Sequence, residues 1–150
     1  MPAPNAIASD KLARLIGTAR APVILDVRSD ADVAADPRLL PGAIRADDRA
    51  LADLPPLPPG AVVAVCQEGH RRSQGAAAWL RAQGRPAEVL DGGFAAWRDA
   101  GLPLVDPARL PPRDSLKLAL TAIEALERLG RIADAAGVSL AEQAERLVSA

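Results

Sequence analysis

The chain has 150 residues, 18 Lys and Arg against 19 Asp and Glu, and one cysteine and one histidine. That length is one domain with room for a small appendage. The near-neutral balance gives no electrostatic footprint for nucleic acid, and a lone cysteine excludes an internal disulfide framework.

Other classes fall for lack of material. One Cys and one His are too few soft ligands for a closed zinc site. Phe94, Trp79 and Trp97 are the whole aromatic set, too small for a base-stacking surface. The N-terminus shows no basic start followed by an apolar leader, and no run nears the roughly 20 apolar residues of a membrane span. A lone thiol is typical of reducing compartments. The expectation is a cytoplasmic protein with no metal, no cofactor, and no nucleic-acid or membrane partner.

In chain order, SDKLARLIG predicts a helix capped by Ser9 and stopped by Gly17. APVILDVR is a continuous apolar run ending on Asp26 and Arg28, the pattern of a parallel strand covered on both faces. SDADVAAD predicts a short helix capped by Ser29. Pro41-Gly42 marks a turn into a short extended piece, and DDRALADL another short helix before the breakers of PPLPPG. AVVAVC is the second strong strand, SQGAAAWLRAQG a helix, AEVL a third strand, DGG a tight turn, and FAAWRDAG a helix ending at Gly101. Strands alternating with helices predict an α/β fold with a parallel sheet and right-handed crossovers. Ligands in such sheets bind at the carboxyl ends of strands, where Asp26, Arg28 and Cys66 fall.

The domain is therefore placed at 1–106, followed by a proline-rich linker at 107–113 and a helical extension at 114–150. In the extension Leu116, Ala119, Leu120, Ile123 and Leu126 recur at helical spacing, and Ser139 with Glu142 forms a capping-box pattern. An apolar stripe of this kind needs cover. It is expected to pack on the sheet domain's flank or against the same helix of a second copy, making a homodimer.

The chemistry concentrates in CQEGHRRS, residues 66–73. A thiolate is the nucleophilic form of cysteine, and its charge must be stabilised. Cys66 lies between a strand and a helix, so loop amides and the helix N-terminus can surround its sulfur. Gly69 permits the backbone angles of a tight cradle, and Arg71 and Arg72 add fixed positive charge. A cysteine ending an apolar strand can equally be a small buried hydrophobe. The glycine, histidine and paired arginines that follow have no evident packing role, and favour a nucleophile. His70 is read as solvated or anion-binding. Glu68, a like charge beside a thiolate, is expected to point outward or pair with an arginine.

The ordered set VILDVRSDAD, LLPGAI, VVAVCQEGHRRSQGAAAWL, VLDGGFAAW and AGLPL resembles single-domain rhodanese-like sulfurtransferases over about residues 7–105. The resemblance implies the rhodanese α/β fold, with a central parallel sheet flanked by helices. It implies a persulfide on Cys66 that passes sulfur from a small-molecule donor such as thiosulfate to a thiol or cyanide. Gln67, Glu68, Gly69, His70, Arg71, Arg72 and Ser73 would form the substrate-binding loop, with Asp26 and Arg28 as supporting residues. One departure stands out. The family's usual loop runs Cys, two residues, Gly, one residue, Arg, then Ser or Thr, whereas here Arg72 adds a residue. Cys66 and Arg72 thereby also satisfy the pattern of cysteine phosphatases, some of which share this fold. Phosphatase-like oxyanion chemistry and a non-catalytic binding module are the alternatives. Phosphatase chemistry needs a general acid, and among Asp30, Asp32, Glu68 and Asp91 none is distinguished by context. Persulfide transfer needs one thiol.

Overall fold

Five parallel strands make one sheet in the order β1-β5-β4-β2-β3. They are β1 (Ala6–Ile7), β2 (Val23–Asp26), β3 (Ile44–Arg45), β4 (Val62–Val65) and β5 (Ala87–Leu90). The computed structural model describes residues 4–110 and 122–132. The chain divides into two compact units, Met1–Pro107 and Ala108–Ala150; the sheet belongs to the first. The α/β class with a parallel sheet, expected from the alternation of apolar runs and helical spacing, is the fold observed.

Four helices complete that unit: α1 (Ser9–Leu15), α2 (Asp30–Ala35), α3 (Arg71–Ala82) and α4 (Gly93–Asp99). Side chains alternate along a strand, and β4 divides accordingly. Val62, Ala64 and Cys66 face the layer built from Ala76, Ala77 and Leu80 of α3. Val63 and Val65 face Leu12 of α1 and Phe94 and Trp97 of α4. Both faces of β4 are buried, which is why its sequence is uniformly apolar. The same period places Cys66 on the α3 face, at the carboxyl end of the sheet.

Trp97 is fully buried, and its indole N–H donates to Pro103 O at 2.9 Å; Trp79 packs on the edge of the α3 layer. Leu39 and Val105 pair as an isolated antiparallel bridge. Through it the stretch after α4, which the sequence places inside the 1–106 domain, is tied back to the segment after α2.

Several elements differ in detail from expectation. β1 carries no sequence signature, being two residues long, yet it closes the sheet's edge beside β5. Its pairing brings the chain straight into α1, so Ala8 occupies the N-cap and Ser9 the first helical position. Ser9 Oγ is buried without a hydrogen-bond partner among the described residues. Ser29 does cap α2, in a reciprocal box with Asp32. The helix expected in DDRALADL is a single 3-10 turn, Leu51–Asp53. α3 begins at Arg71, two residues before the predicted start at Ser73.

Residues 122–132 are helical, with Ile123, Leu126, Leu129 and Ile132 exposed. Leu116, Ala119, Leu120 and the Ser139–Glu142 pattern lie outside the described residues. Among the described residues no helix is long and apolar enough to cross a membrane.

Candidate active site

Cys66 follows β4 directly, and its side chain is buried. The loop Gln67–His70 then curls round the sulfur before α3 starts. The His70 backbone N–H donates to Cys66 Sγ at 3.2 Å. Ser73 Oγ lies 3.0 Å from the same sulfur, in the first turn of α3, and also donates to His70 O at 3.2 Å. Sγ is thus contacted by a backbone amide and a hydroxyl at the positive end of a twelve-residue helix.

What holds the loop in this shape is the turn after β5. The N–H groups of Phe94 and Ala95, free at the start of α4, donate to Cys66 O and Gln67 O, each at 2.9 Å. Trans peptide geometry then turns the N–H groups of Gln67 and Glu68 to the opposite side, away from α4. Two glycines permit the approach. Gly69 has φ +77°, and a Cβ there would lie 2.8 Å from Leu90 O. Gly93 has φ +63°, and a Cβ there would lie 2.4 Å from both Cys66 O and Gly69 N. DGG reads in the sequence as a turn; in the structure it is the floor of the cysteine loop. Two adjacent glycines ending an apolar strand were the available signal.

The remaining loop side chains separate by position. Glu68 and His70 point outward, with Glu68 Oε2 4.0 Å from His70 Nε2. Arg71 is exposed in the first turn of α3. The Arg72 guanidinium is ion-paired with Asp48, from the segment after β3, a partner sequence reasoning did not find. Gln67 is half-buried, and its Oε1 has no hydrogen-bond partner among the described residues.

Asp26 and Arg28 form a pair sealed from solvent beside this loop. Arg28 Nη2 is 2.9 Å from Asp26 Oδ2, and both side chains are at most 1% exposed. Arg28 Nη1 and Nη2 also donate to Asp36 O and Arg38 O, at 2.9 and 2.8 Å. The guanidinium lies 3.8 Å over the Phe94 ring. Arg28 therefore fastens the end of β2 to the 36–38 segment and to α4. At that segment, the side-chain hydrogen bond from Arg38 holds the Asp36 carboxyl below the usual carboxylate range. Among the described residues no cluster of His, Cys, Asp and Glu could hold a metal ion.

A cysteine loop between a central parallel strand and its helix, held by the turn after the neighbouring strand, defines a class of α/β proteins with a cysteine at the carboxyl end of the sheet. The rhodanese-like domain family matches residues 8–100, and the chain belongs to that family. Solved structures agree on the fold. A rhodanese-related protein from Thermoplasma volcanium is 22% identical, with a TM-score of 0.57 over 68% of this chain and 98% of that one. A protein of unknown function from Rhodopseudomonas palustris, described as a possible tyrosine phosphatase, is 27% identical with a TM-score of 0.58, covering 67% and 84%. The thiosulfate sulfurtransferase of Pseudomonas aeruginosa is 31% identical with a TM-score of 0.56 over 73% of this chain, which spans 21% of that protein. A search of curated proteins finds no match to the chain.

Proposed function

We propose that the protein is a sulfurtransferase that carries sulfane sulfur as a persulfide on Cys66. The observation that carries this reading is the single buried thiol held by the His70 amide and Ser73 hydroxyl at the start of α3. In the loading step, Cys66 Sγ as thiolate attacks the outer sulfur of thiosulfate. The sulfur–sulfur bond of the donor breaks, its electron pair leaves with sulfite, and a new bond joins Sγ to the transferred sulfur. A thiophilic acceptor such as cyanide then attacks that outer sulfur, and the electron pair of the Sγ–S bond returns to Sγ. No net oxidant is needed, and no second cysteine. The terminal sulfur of the persulfide, like a thiolate, is an anion that amides and a helix N-terminus stabilise.

The phosphatase alternative draws on the longer loop and on the similarity to the Rhodopseudomonas palustris protein. It requires an arginine fork across two oxygens of a phosphoryl group seated over the cysteine. Arg72, the residue at the required spacing, is instead paired with Asp48, and this favours sulfur. Incubation with thiosulfate should add the mass of one sulfur atom to the intact protein, cyanide should remove it as thiocyanate, and Cys66→Ser should show neither. Ready hydrolysis of aryl phosphates with no mass gain would reverse the assignment.

A further inference from the structure

On the β2–β3 side of the cysteine loop lies an open cavity of about 260 Å³, whose walls include Arg28, Asp30, Arg45, Asp47, Arg49 and Arg72. Three of its four arginines are already engaged. Arg28 holds Asp26 and two carbonyls. Arg45 donates to Arg28 O at 2.8 Å and pairs with Asp30 at 3.2 Å. Arg72 pairs with Asp48. Arg49 differs: its backbone N–H donates to Asp47 Oδ1 at 2.9 Å, but its exposed guanidinium has no hydrogen bond or ion pair among the described residues. The five N–H donors of that fork match a planar oxyanion.

The position of the cavity matters as much as its chemistry. Arg72 immediately precedes Ser73, whose hydroxyl touches Cys66 Sγ, and Arg28 leaves the strand paired with β4. The other side of the loop is filled by Gly93, Phe94 and Ala95. Because β2 lies between β4 and β3, the segment that carries Arg49 leaves the sheet two strand spacings, roughly 9–10 Å, to the side of the strand that leads into Cys66. The arginine and its ligand span that gap together. That separation does not suit a donor whose charge is one bond from its sulfur. It suits a molecule with a few carbons between its thiol and its anionic group.

We propose that this cavity is the acceptor subsite, that Arg49 is its specificity-determining residue, and that the acceptor is a small thiol bearing a carboxylate. The proposal rests on sulfur transfer through Cys66. With its carboxylate on Arg49, the acceptor as thiolate attacks the outer sulfur of the Cys66 persulfide. A bond forms between the acceptor sulfur and the transferred sulfur, the Sγ–S bond breaks, and its electron pair returns to Sγ. The acceptor leaves as a persulfide.

The test compares 3-mercaptopropionate with 2-mercaptoethanol as acceptors for wild type, Arg49→Gln and Arg49→Lys. Arg49→Gln is expected to lower kcat/KM for the carboxylate thiol roughly tenfold more than for the neutral one, the loss of a charge-assisted hydrogen bond. Arg49→Lys should recover part of that difference. Comparing ratios between variants cancels the two thiols' intrinsic reactivities. An unchanged ratio overturns the proposal. Succinate, which has no thiol, gives a readout independent of turnover. In Cys66→Ser it should shift the amide NMR signals of residues 46–49 and of Arg72, and adding Arg49→Gln should abolish the shifts. Absence of those shifts also overturns the proposal. Failure of Cys66 to load sulfur, with the succinate shifts intact, would refute the sulfur-transfer reading and leave the carboxylate subsite standing.

Discussion

Arg28 shows how much a single side chain can be asked to hold. Its charge is fully buried, and all of its nitrogens are engaged by Asp26 and by two carbonyls of the 36–38 segment. Removing one partner of a buried pair leaves an uncompensated charge, which costs about 3–5 kcal/mol. Arg28→Ala is therefore expected to lower unfolding free energy by about that amount in urea denaturation, with Arg45, 3.5 Å from Asp26 Oδ1, softening the loss. Asp26→Asn with Arg28→Met should be less damaging than Arg28→Ala alone, because no charge is then stranded. Equal losses in both variants would show that the carbonyl contacts, rather than the ion pair, are what Arg28 provides. The DVR stretch could be placed at a strand end from its sequence, because apolar residues lead into it. Its burial could not, since Asp36 and Arg38 reach it from the irregular segment after α2, which no local pattern reveals.

Among elements, the cysteine loop and the turn before α4 act together. β2, β4, β5 and α3 were legible because their apolar runs are long enough to define a period, and Cys66 could be singled out because its loop sits between two such elements. β1 was not legible, since two residues define no period and its partner β5 lies far along the chain. Asp48 and Arg49 were equally hidden, because only the side-by-side placement of β2, β3 and β4 brings them near the loop. The locking role of DGG depends on a close approach of two backbones. Gly93→Ala tests it: a Cβ would meet Cys66 O and Gly69 N at 2.4 Å, and the positive φ alone costs about 1–3 kcal/mol. We expect a fall in stability of at least that size and loss of thiosulfate loading by intact mass. Gly101→Ala, at a positive φ with open space around the added methyl, controls for strain alone and should keep loading. Loading that survives Gly93→Ala would show that α4 is dispensable to the loop.

At the scale of the whole molecule, the division at Pro107 and Ala108 leaves the candidate site's described residues in the first unit. Ile123, Leu126, Leu129 and Ile132 are exposed on the helical stretch 122–132, a set of apolar groups that favours association. Removal of residues 113–150 is expected to preserve sulfur loading of Cys66 while changing either the melting temperature or the sedimentation behaviour. A lower melting temperature at unchanged mass would place the extension's role within one chain; a lower mass in sedimentation would place it between two copies. If neither changed, the extension would have no part in stability or association.

The bonds from Phe94 and Ala95 to the carbonyls of Cys66 and Gln67 have a consequence for portability. The candidate site is discontinuous: residues 66–73 supply the sulfur and its immediate contacts, while residues 91–95 fix which way the peptide planes face. Transplanted alone onto another parallel sheet, the first segment would keep its cysteine and lose the orientation of its amides. The smallest transferable piece is two neighbouring strand ends with both of their turns.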